Sequence, residues 1–224
     1  MNWKYEKNFT ERGYRMKYED SGKRSSDQKI VYQFLIKLLE VEPVVWRRIQ
    51  VPPGYNFWEL HVAIQDSMGW QDYHTHHFAI KAKHKRQEVH IGIPDFGRTY
   101  ELKEVYPGWE ILMIAYFNGL GIEARYEYDY GDGWEHSVKL EGYMHREKGV
   151  KYPICIDGER ACPPEDCGGP SRYNEYLNIL SNPDAIDNAE APDWLENWDP
   201  DAFRKEDVKF DNPYKRWKHA FLED

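Results

Sequence analysis

The sequence RYEYDYGDGWEHSVKLE, residues 125–141, predicts a β-hairpin with a polar turn. On both arms apolar side chains alternate with polar ones, which is the period of a strand that buries one face. Between the arms, Gly131-Asp132-Gly133 supplies residues that tolerate positive φ, so we expect a tight turn. The hairpin is therefore the first place to look for a functional site.

Four polar side chains gather at this turn: Asp129, Asp132, Glu135 and His136. Carboxylates next to an imidazole can exchange a proton or hold a cation. A structural interpretation is equally open. In that interpretation Asp132 bonds its own turn, the other carboxylates are solvated, and Trp134 and His136 are packing residues.

Further strands are predicted on the N-terminal side of the hairpin. Residues 30–41 are apolar on both faces, as in a central strand, and residues 44–51 form a second strand that stops at a proline. Residues 74–83 and 87–93 are also strand-like. These segments predict a sheet.

Two helices have clear start signals. Asn56 can cap a helix, because Glu59 three residues later completes a capping box, and Gly69 ends that helix. Pro213 opens a C-terminal amphipathic helix in which Trp217 and Phe221 are four residues apart.

The remaining segments are less regular. Residues 110–117 could form a short helix, and residues 152–170, which are rich in Pro, Gly and Cys, predict an irregular loop. Ser171 is expected to cap a helix to about residue 180. The acidic segment 182–203 is typical of short helical turns separated by proline.

Together the elements predict an α+β fold. We expect a single domain with a mixed or antiparallel sheet, helices packed mainly on one face, an irregular Cys/Pro/Gly loop and short C-terminal helices. The domain is placed at residues 30–224. Residues 1–29 are polar and are interpreted as a flexible or loosely attached N-terminal arm.

Composition argues against several classes of protein. The chain has 224 residues, 41% hydrophobic and 16% aromatic, which is enough for a substantial core. No apolar run approaches the roughly 20 residues that span a bilayer, and the N-terminus lacks the apolar region of a signal peptide, so we expect a cytoplasmic protein with no membrane partner. The net charge of −9 is unusual for a dedicated DNA-binding protein.

A local basic surface would still allow contact with nucleic acid, although scattered charges are more often solvated. Its candidate residues are Lys4, Lys7, Arg12, Arg15, Lys17, Lys81, Lys83, Lys85 and Arg86.

The cysteines do not predict a disulfide framework. Cys155, Cys162 and Cys167 are an odd number with C-x6-C-x4-C spacing, which is not a standard zinc knuckle. A Cys3His zinc site would have to be assembled from distant pieces. Three free, partly buried thiols are the expected state.

A second polar cluster, GWQDYHTHHF, occupies residues 69–78. On a strand His74 and His76 project to the same side, so two imidazoles and a hairpin carboxylate could hold a divalent metal that activates water. The alternative is that both histidines are structural and bond nearby carboxylates. The candidate metal ligands are His74, His76, Asp129, Asp132 and His136, with Glu165 as the candidate catalytic base.

A third cluster, PPEDCGGP, occupies residues 163–170. Its glycines allow sharp turns that could present N–H groups to an anion, but Glu165 and Asp166 would repel one and could instead cap the following helix. The chain lacks GxxxxGK[ST], GxGxxG, HExxH, CxxC and GxSxG motifs, which disfavours nucleotide-dependent and triad-hydrolase chemistry.

Five motifs occur in order along the chain: PVVWRRIQVP, FWELHVAIQDSMGWQDYHTHHF, YEYDYGDGWEHSVKLE, YPICIDGERACPPEDCGGPSRYNEYL and WDPDAF. Together they resemble the plasmid ORF-three-like family, which is named from an open reading frame on a root-inducing plasmid, and the resemblance covers residues 30–210. The resemblance implies a single α+β domain but no established activity. The family's motif residues fall on all three clusters and also on Trp46, Arg47, Arg48, His61 and Gln65.

Members of this family are also labelled TnpR-like, or resolvase-like, passenger proteins of insertion elements. A serine recombinase needs a Tyr-x-Arg-x-Ser pattern near its N-terminus, and residues 14–18, YRMKY, do not supply it. A tyrosine recombinase needs His-x-x-Arg, which the chain lacks. We therefore exclude recombinase catalysis.

Two functional hypotheses follow. The first is a non-catalytic binding or accessory domain of mobile elements, with an unknown protein or nucleic-acid partner. Its predicted binding groove consists of Arg47, Arg48, Trp70, Tyr128, Asp129, Asp132, Trp134, Glu165 and Asp166. The second is a metal-dependent hydrolase, with phosphoesters as the candidate substrates, that uses the His/Asp cluster and a divalent metal.

Overall fold

The computed structural model describes residues 29–81, 87–94, 105–182 and 191–222. In chain order the described elements are β1 (Ile30–Leu38), β2 (Trp46–Val51), α1 (Phe57–Met68), β3 (His76–Lys81), β4 (Glu88–Gly92), β5 (Val105–Pro107), β6 (Glu123–Tyr128), β7 (Trp134–His145), β8 (Ile154–Glu159), α2 (Gly169–Ser181) and α3 (Pro213–Phe221). Short 3₁₀ turns lie at Gly108–Glu110, Met113–Ala115, Asp193–Asn197 and Lys205–Asp207.

All the described strands belong to one mixed sheet in the order β5-β4-β3-β6-β7-β1-β2-β8. Neighbours are antiparallel except β4 and β5, which are parallel. β1 lies between β7 and β2, which confirms the prediction of an interior strand at the start of the domain. The α+β prediction is confirmed.

One face of the sheet carries the core. On the hairpin of β6 and β7, Tyr126 and Val138 are fully buried, whereas Arg125 and Lys139 on the opposite face are exposed. Helices α1 and α2 lie on the buried face: Phe57 of α1 packs edge-on against a phenylalanine of β3, and a tyrosine of α2 packs against the first residue of β7. The helices pack on one face, as predicted, because only that face of the strands carries the buried apolar side chains.

Helix α1 begins and ends as predicted. The Asn56 side chain accepts a hydrogen bond from the Glu59 amide at 2.8 Å, and the Glu59 carboxylate accepts one from the Asn56 amide at 2.8 Å. Gly69 ends the helix with φ of 88° and donates to the carbonyl of Gln65. The capping box therefore fixes the start of α1, and a left-handed glycine fixes its end.

The hairpin turn is longer than predicted. Tyr128 pairs with Trp134, so the connection spans the five residues 129–133. The left-handed positions are Asp129 (φ of 55°) and Gly133 (φ of 72°). Asp129 therefore lies in the loop and not in strand β6, so its side chain can reach neighbouring segments.

Residues 152–170 are not wholly irregular. Their first part forms β8, which pairs antiparallel with β2, because the edge of β2 offers backbone groups that a local pattern does not reveal. Helix α2 begins at Gly169, with Gly168 as its N-cap and Pro170 in the first turn, so the predicted cap at Ser171 is wrong by three positions. Residues 110–117 contain 3₁₀ turns and no α-helix.

The predicted C-terminal helix is confirmed as α3, and it packs on the outer side of α1. Trp217 is 2% exposed and lies against Trp109, and the Trp58 indole donates to the Pro213 carbonyl at 2.9 Å. In the described ranges no helix combines the length and apolar character needed to cross a membrane. The proposed N-terminal arm, and every residue of the proposed basic surface except Lys81, lie outside the described residues.

Candidate cation-binding site

Three loops meet at one end of the sheet. The His74 Nε2 atom lies 3.0 Å from a carboxylate oxygen of Asp166 and 3.5 Å from one of Asp129. His74 follows α1, Asp129 belongs to the hairpin loop, and Asp166 precedes α2. The predicted convergence of the three polar clusters is therefore observed, through His74.

The position of Asp129 follows from its own backbone. With φ of 55° it directs one carboxylate oxygen to the amides of Gly131, at 2.9 Å, and Asp132, at 3.4 Å. This is the local side-chain bond typical of aspartate in turns. The other oxygen is left to face His74.

The loop at residues 163–168 is fastened to both neighbouring segments. The Trp70 indole donates to the Pro163 carbonyl at 2.8 Å, and the Gly168 amide donates to Asp132 at 3.1 Å. Glu165 accepts hydrogen bonds from the Gln71 amide, at 2.9 Å, and from the Tyr128 hydroxyl. Asp166 is thereby held opposite His74 on a fixed loop.

This geometry suits a cation. One nitrogen and two carboxylate oxygens, one atom from each of the three residues, lie within 4.8 Å of one another. The side chains of His74 and Asp129 are 20% and 10% exposed, whereas that of Asp166 is 71% exposed. The site is open on the Asp166 side and closed on the Asp129 side. A structural His74 that contacts both carboxylates without an ion is the alternative.

The candidate metal ligands do not form one group. His76 and His136 are fully buried on the core face of the sheet, away from the His74 loop cluster. Strand β3 begins at His76, so His74 lies in a loop and the two side chains do not share a strand face. Burial lowers the pKa of His136 to about 4, and its ring contacts Trp70 edge-on. Asp132 lies in the hairpin loop and fixes Gly168.

Glu165, the candidate catalytic base, uses both carboxylate oxygens in hydrogen bonds. In this arrangement it holds the loops together. Its catalytic role stays a prediction.

Several predicted groove residues do not line an open surface. Trp70, Tyr128 and Trp134 are at most 5% exposed and belong to the core. Trp70 and Tyr128 are stacked, with ring centroids 5.1 Å apart. The groove hypothesis is wrong in giving these aromatic rings an exposed rim.

The two arginines of β2 point to opposite faces of the sheet. Arg47 is 2% exposed and donates to the carbonyls of Ser67 and Glu159, both at 2.9 Å. Arg48 on the open face bonds Glu141 at 2.7 Å and Asp157 at 3.0 Å. Arg48 therefore pairs acidic groups, whereas Arg47 bonds backbone carbonyls, so the two arginines do not form one binding surface.

The three thiols are free. Burial raises the pKa of Cys167 to about 12 and raises that of Cys162 further above its usual range. Within the described residues the groups with metal-ligand spacing contain no cysteine, so a Cys3His site has no support there.

The sequence interpretation missed a second group. His61, Asp72 and His76 also bring ligand atoms within 4.8 Å of one another, but they are buried beneath α1. The available signal was helical spacing: His61 lies four residues after Phe57 on the apolar side of the helix.

Comparisons with known proteins identify relatives of the chain. An uncharacterized protein of Sinorhizobium fredii (strain NBRC 101917 / NGR234), y4hQ, is 32% identical over 177 residues, which are 77% of this chain and 84% of that protein. The crystal structure of a protein of unknown function, MM3350 from Methanosarcina mazei Go1, is similar with a TM-score of 0.71 and 36% identity, covering 81% of this chain and 98% of the other. The model of the plasmid pRiA4b ORF-3-like proteins matches residues 30–207, so the chain belongs to that family.

Proposed function

We propose that this protein is a binding domain that holds one divalent cation between His74, Asp129 and Asp166. The observation that carries the proposal is the convergence of three ligand atoms within 4.8 Å from three separate loops. Hydrogen bonds from Trp70 and Gly168 fasten the loop that carries Asp166, so the donors are arranged in advance of binding.

The donor set indicates the kind of cation. A mixture of imidazole nitrogen and carboxylate oxygen suits Mn²⁺, Fe²⁺ or Zn²⁺, whereas Ca²⁺ and Mg²⁺ prefer oxygen donors. Asp166 is largely exposed, so the outer coordination positions can take water or an acidic group of a partner. An accessory role in mobile elements, in the cytoplasm, is part of this proposal, since the family is named after a plasmid reading frame.

The test is a calorimetric titration of Mn²⁺ into metal-free, full-length protein. We expect one equivalent to bind, and we expect Asp166→Asn and His74→Gln to weaken binding at least about tenfold, because each replaces a carboxylate or imidazole donor by a neutral amide. Asp193→Asn, at an exposed carboxylate in a 3₁₀ turn, is the matched control and should bind as the wild type. Equal binding by wild type and Asp166→Asn would disprove the site.

A metal-dependent hydrolase is the second candidate. It is favoured by the exposure of Asp166, because an ion with protein ligands on one side leaves positions for an activated water and a substrate. Hydrolysis of bis(p-nitrophenyl) phosphate that requires Mn²⁺ and is lost in Asp166→Asn would support it. Mn²⁺ binding without hydrolysis would leave the binding domain as the function.

A further inference from the structure

A polar cluster lies under α1, separate from the loop site. The His61 Nδ1 atom is 2.8 Å from the Tyr126 hydroxyl, and its Nε2 atom is 2.8 Å from a carboxylate oxygen of Asp72. The His76 ring is stacked on the His61 ring, with centroids 3.4 Å apart and planes 8° from parallel. Both imidazoles are fully buried, and the Asp72 side chain is 5% exposed.

His76 is the unusual member of this cluster. Among the described residues neither of its ring nitrogens has a hydrogen-bond partner, although the side chain is 0% exposed. A buried polar atom without a partner destabilises the folded state, so such atoms require an explanation. A bound metal ion that accepts the nitrogen lone pair of His76 would explain why this nitrogen has no hydrogen-bond partner.

We propose that His61, Asp72 and His76 form a buried transition-metal site of the zinc type. Two imidazoles and a carboxylate are a common zinc donor set, in which water takes the fourth position. The ligand atoms of the three residues lie within 4.8 Å of one another, and the burial of both imidazoles favours a tightly held ion over a rapidly exchanging one.

The local charges favour a cation. The buried carboxylates of Asp66 and Asp72 share the guanidinium of Arg216, at 2.6 Å and 4.0 Å. Two carboxylates facing one guanidinium leave an excess of negative charge in the interior. A divalent ion bound to Asp72 would balance this charge.

Two local adjustments are needed for coordination. His61 has to bind through Nε2, which puts its proton on Nδ1, where the Tyr126 hydroxyl at 2.8 Å can accept it. The His76 ring has to turn about its Cβ–Cγ bond, because parallel stacked rings cannot direct lone pairs to one ion. In the described structure no hydrogen bond of the His76 ring opposes this turn.

The experiment is reconstitution of the full chain with Co²⁺ after unfolding and refolding in chelator. We expect the buried site to bind one equivalent of Co²⁺, in addition to any held at the loop site. The buried ion should give the intense visible absorption of a tetrahedral site and a higher midpoint of thermal unfolding than in chelator. His76→Gln and Asp72→Asn should each lose the absorption and the thermal shift. His136→Gln is the matched control, because it removes an equally buried imidazole outside the cluster.

A double variant distinguishes the two proposed sites. The protein that carries both His74→Gln and Asp166→Asn should lose Mn²⁺ binding at the loop site and keep the Co²⁺ spectrum of the buried site. If the double variant loses the spectrum and Asp72→Asn keeps it, the ion belongs to the loop site and the proposal is overturned. The absence of any Co²⁺ spectrum in the wild type would overturn it as well. If His76→Gln does not refold, the isosteric Asp72→Asn variant decides.

Discussion

Three aspartates adopt left-handed backbone conformations around the two polar clusters. Asp72, Asp129 and Asp166 have φ of 63°, 55° and 57°, which non-glycine residues seldom adopt. Each conformation costs on the order of 1 kcal/mol, although aspartate tolerates it better than most residues. In each case the carboxylate lies within 3.5 Å of a histidine nitrogen. Glu40 and Arg160, outside both clusters, adopt the same conformation, so the strain positions these carboxylates but does not by itself identify a cation site.

Gly169 controls how closely the loop before α2 approaches the hairpin. It has φ of +79°, and a Cβ atom at this position would lie 2.3 Å from the backbone carbonyl oxygen of Asp132. We predict that Gly169→Ala lowers the free energy of unfolding by at least about 2 kcal/mol, through left-handed strain plus the separation of the two loops. Urea denaturation followed by circular dichroism measures this change.

Gly149→Ala is the control that measures left-handed strain without a contact between two loops. Gly149 also has positive φ, at +85°, but nothing lies within 4 Å of its would-be Cβ. This variant should lose only about 1 kcal/mol, the cost of the left-handed conformation alone. Equal losses in the two variants would show that the contact with Asp132 does not limit the loop.

At the scale of the elements, the cap of α1 has a measurable role. The Asn56 side chain accepts from the Glu59 amide and donates to the Trp109 carbonyl at 3.2 Å, and the residue is 2% exposed. We predict that Asn56→Ala lowers the free energy of unfolding by about 2 kcal/mol, the upper end for an N-cap, because burial excludes water from the freed groups.

Asn212→Ala is the control for this prediction. Asn212 caps α3 and accepts a hydrogen bond from the Lys215 amide at 3.0 Å, but the residue is exposed. Because water can bind the freed amide, the free energy of unfolding should fall by only about 0.5 kcal/mol. Urea midpoints of the two variants give the comparison. Similar losses would contradict the role of burial at Asn56.

The elements that the sequence predicted well depend on local chemistry. The Asn56 cap, the alternation along the hairpin and the start of α3 at Pro213 need only neighbouring residues. Strand β8 depends on pairing with β2, more than a hundred residues earlier, which its own sequence does not reveal. Long-range pairing is therefore where local reasoning failed.

The candidate site was predicted in outline and missed in detail for a related reason. All three clusters converge as predicted, because turns at one end of a sheet lie close together. The sequence predicted that both His74 and His76 face the hairpin carboxylates, but β3 begins at His76. That boundary leaves His74 in the loop and directs His76 into the core, where it meets His61. A shift of two residues in a strand boundary decides which histidine serves which cluster.

At the scale of the whole molecule, buried histidines link stability to pH. Burial lowers the pKa of His61 and His76 well below the usual value, and that of His77 and His136 to about 4. In the unfolded chain a histidine has a pKa of about 6.5, so below that pH the unfolded state binds more protons than the folded state. Asp72, with a pKa raised to about 7, has the opposite effect, because its proton is held in the folded state. Burial also raises the pKa of Asp66, Glu110 and Glu127 and lowers that of His90, so five histidines oppose four carboxyl groups. We therefore expect the free energy of unfolding to fall between pH 6.5 and pH 5.

His136 allows this linkage to be tested at one residue. Its ring is enclosed by Trp70 and Tyr126, and its Nδ1 atom is 3.3 Å from the Tyr126 carbonyl oxygen. We predict that His136→Gln reduces the dependence of the free energy of unfolding on pH by about 1.4 kcal/mol per pH unit between pH 5 and pH 6, because one proton fewer is taken up on unfolding. Urea denaturation at half-unit pH steps measures the slope, which is independent of any loss of stability at neutral pH. An unchanged slope in His136→Gln would mean that the buried imidazole gains a proton before the protein unfolds.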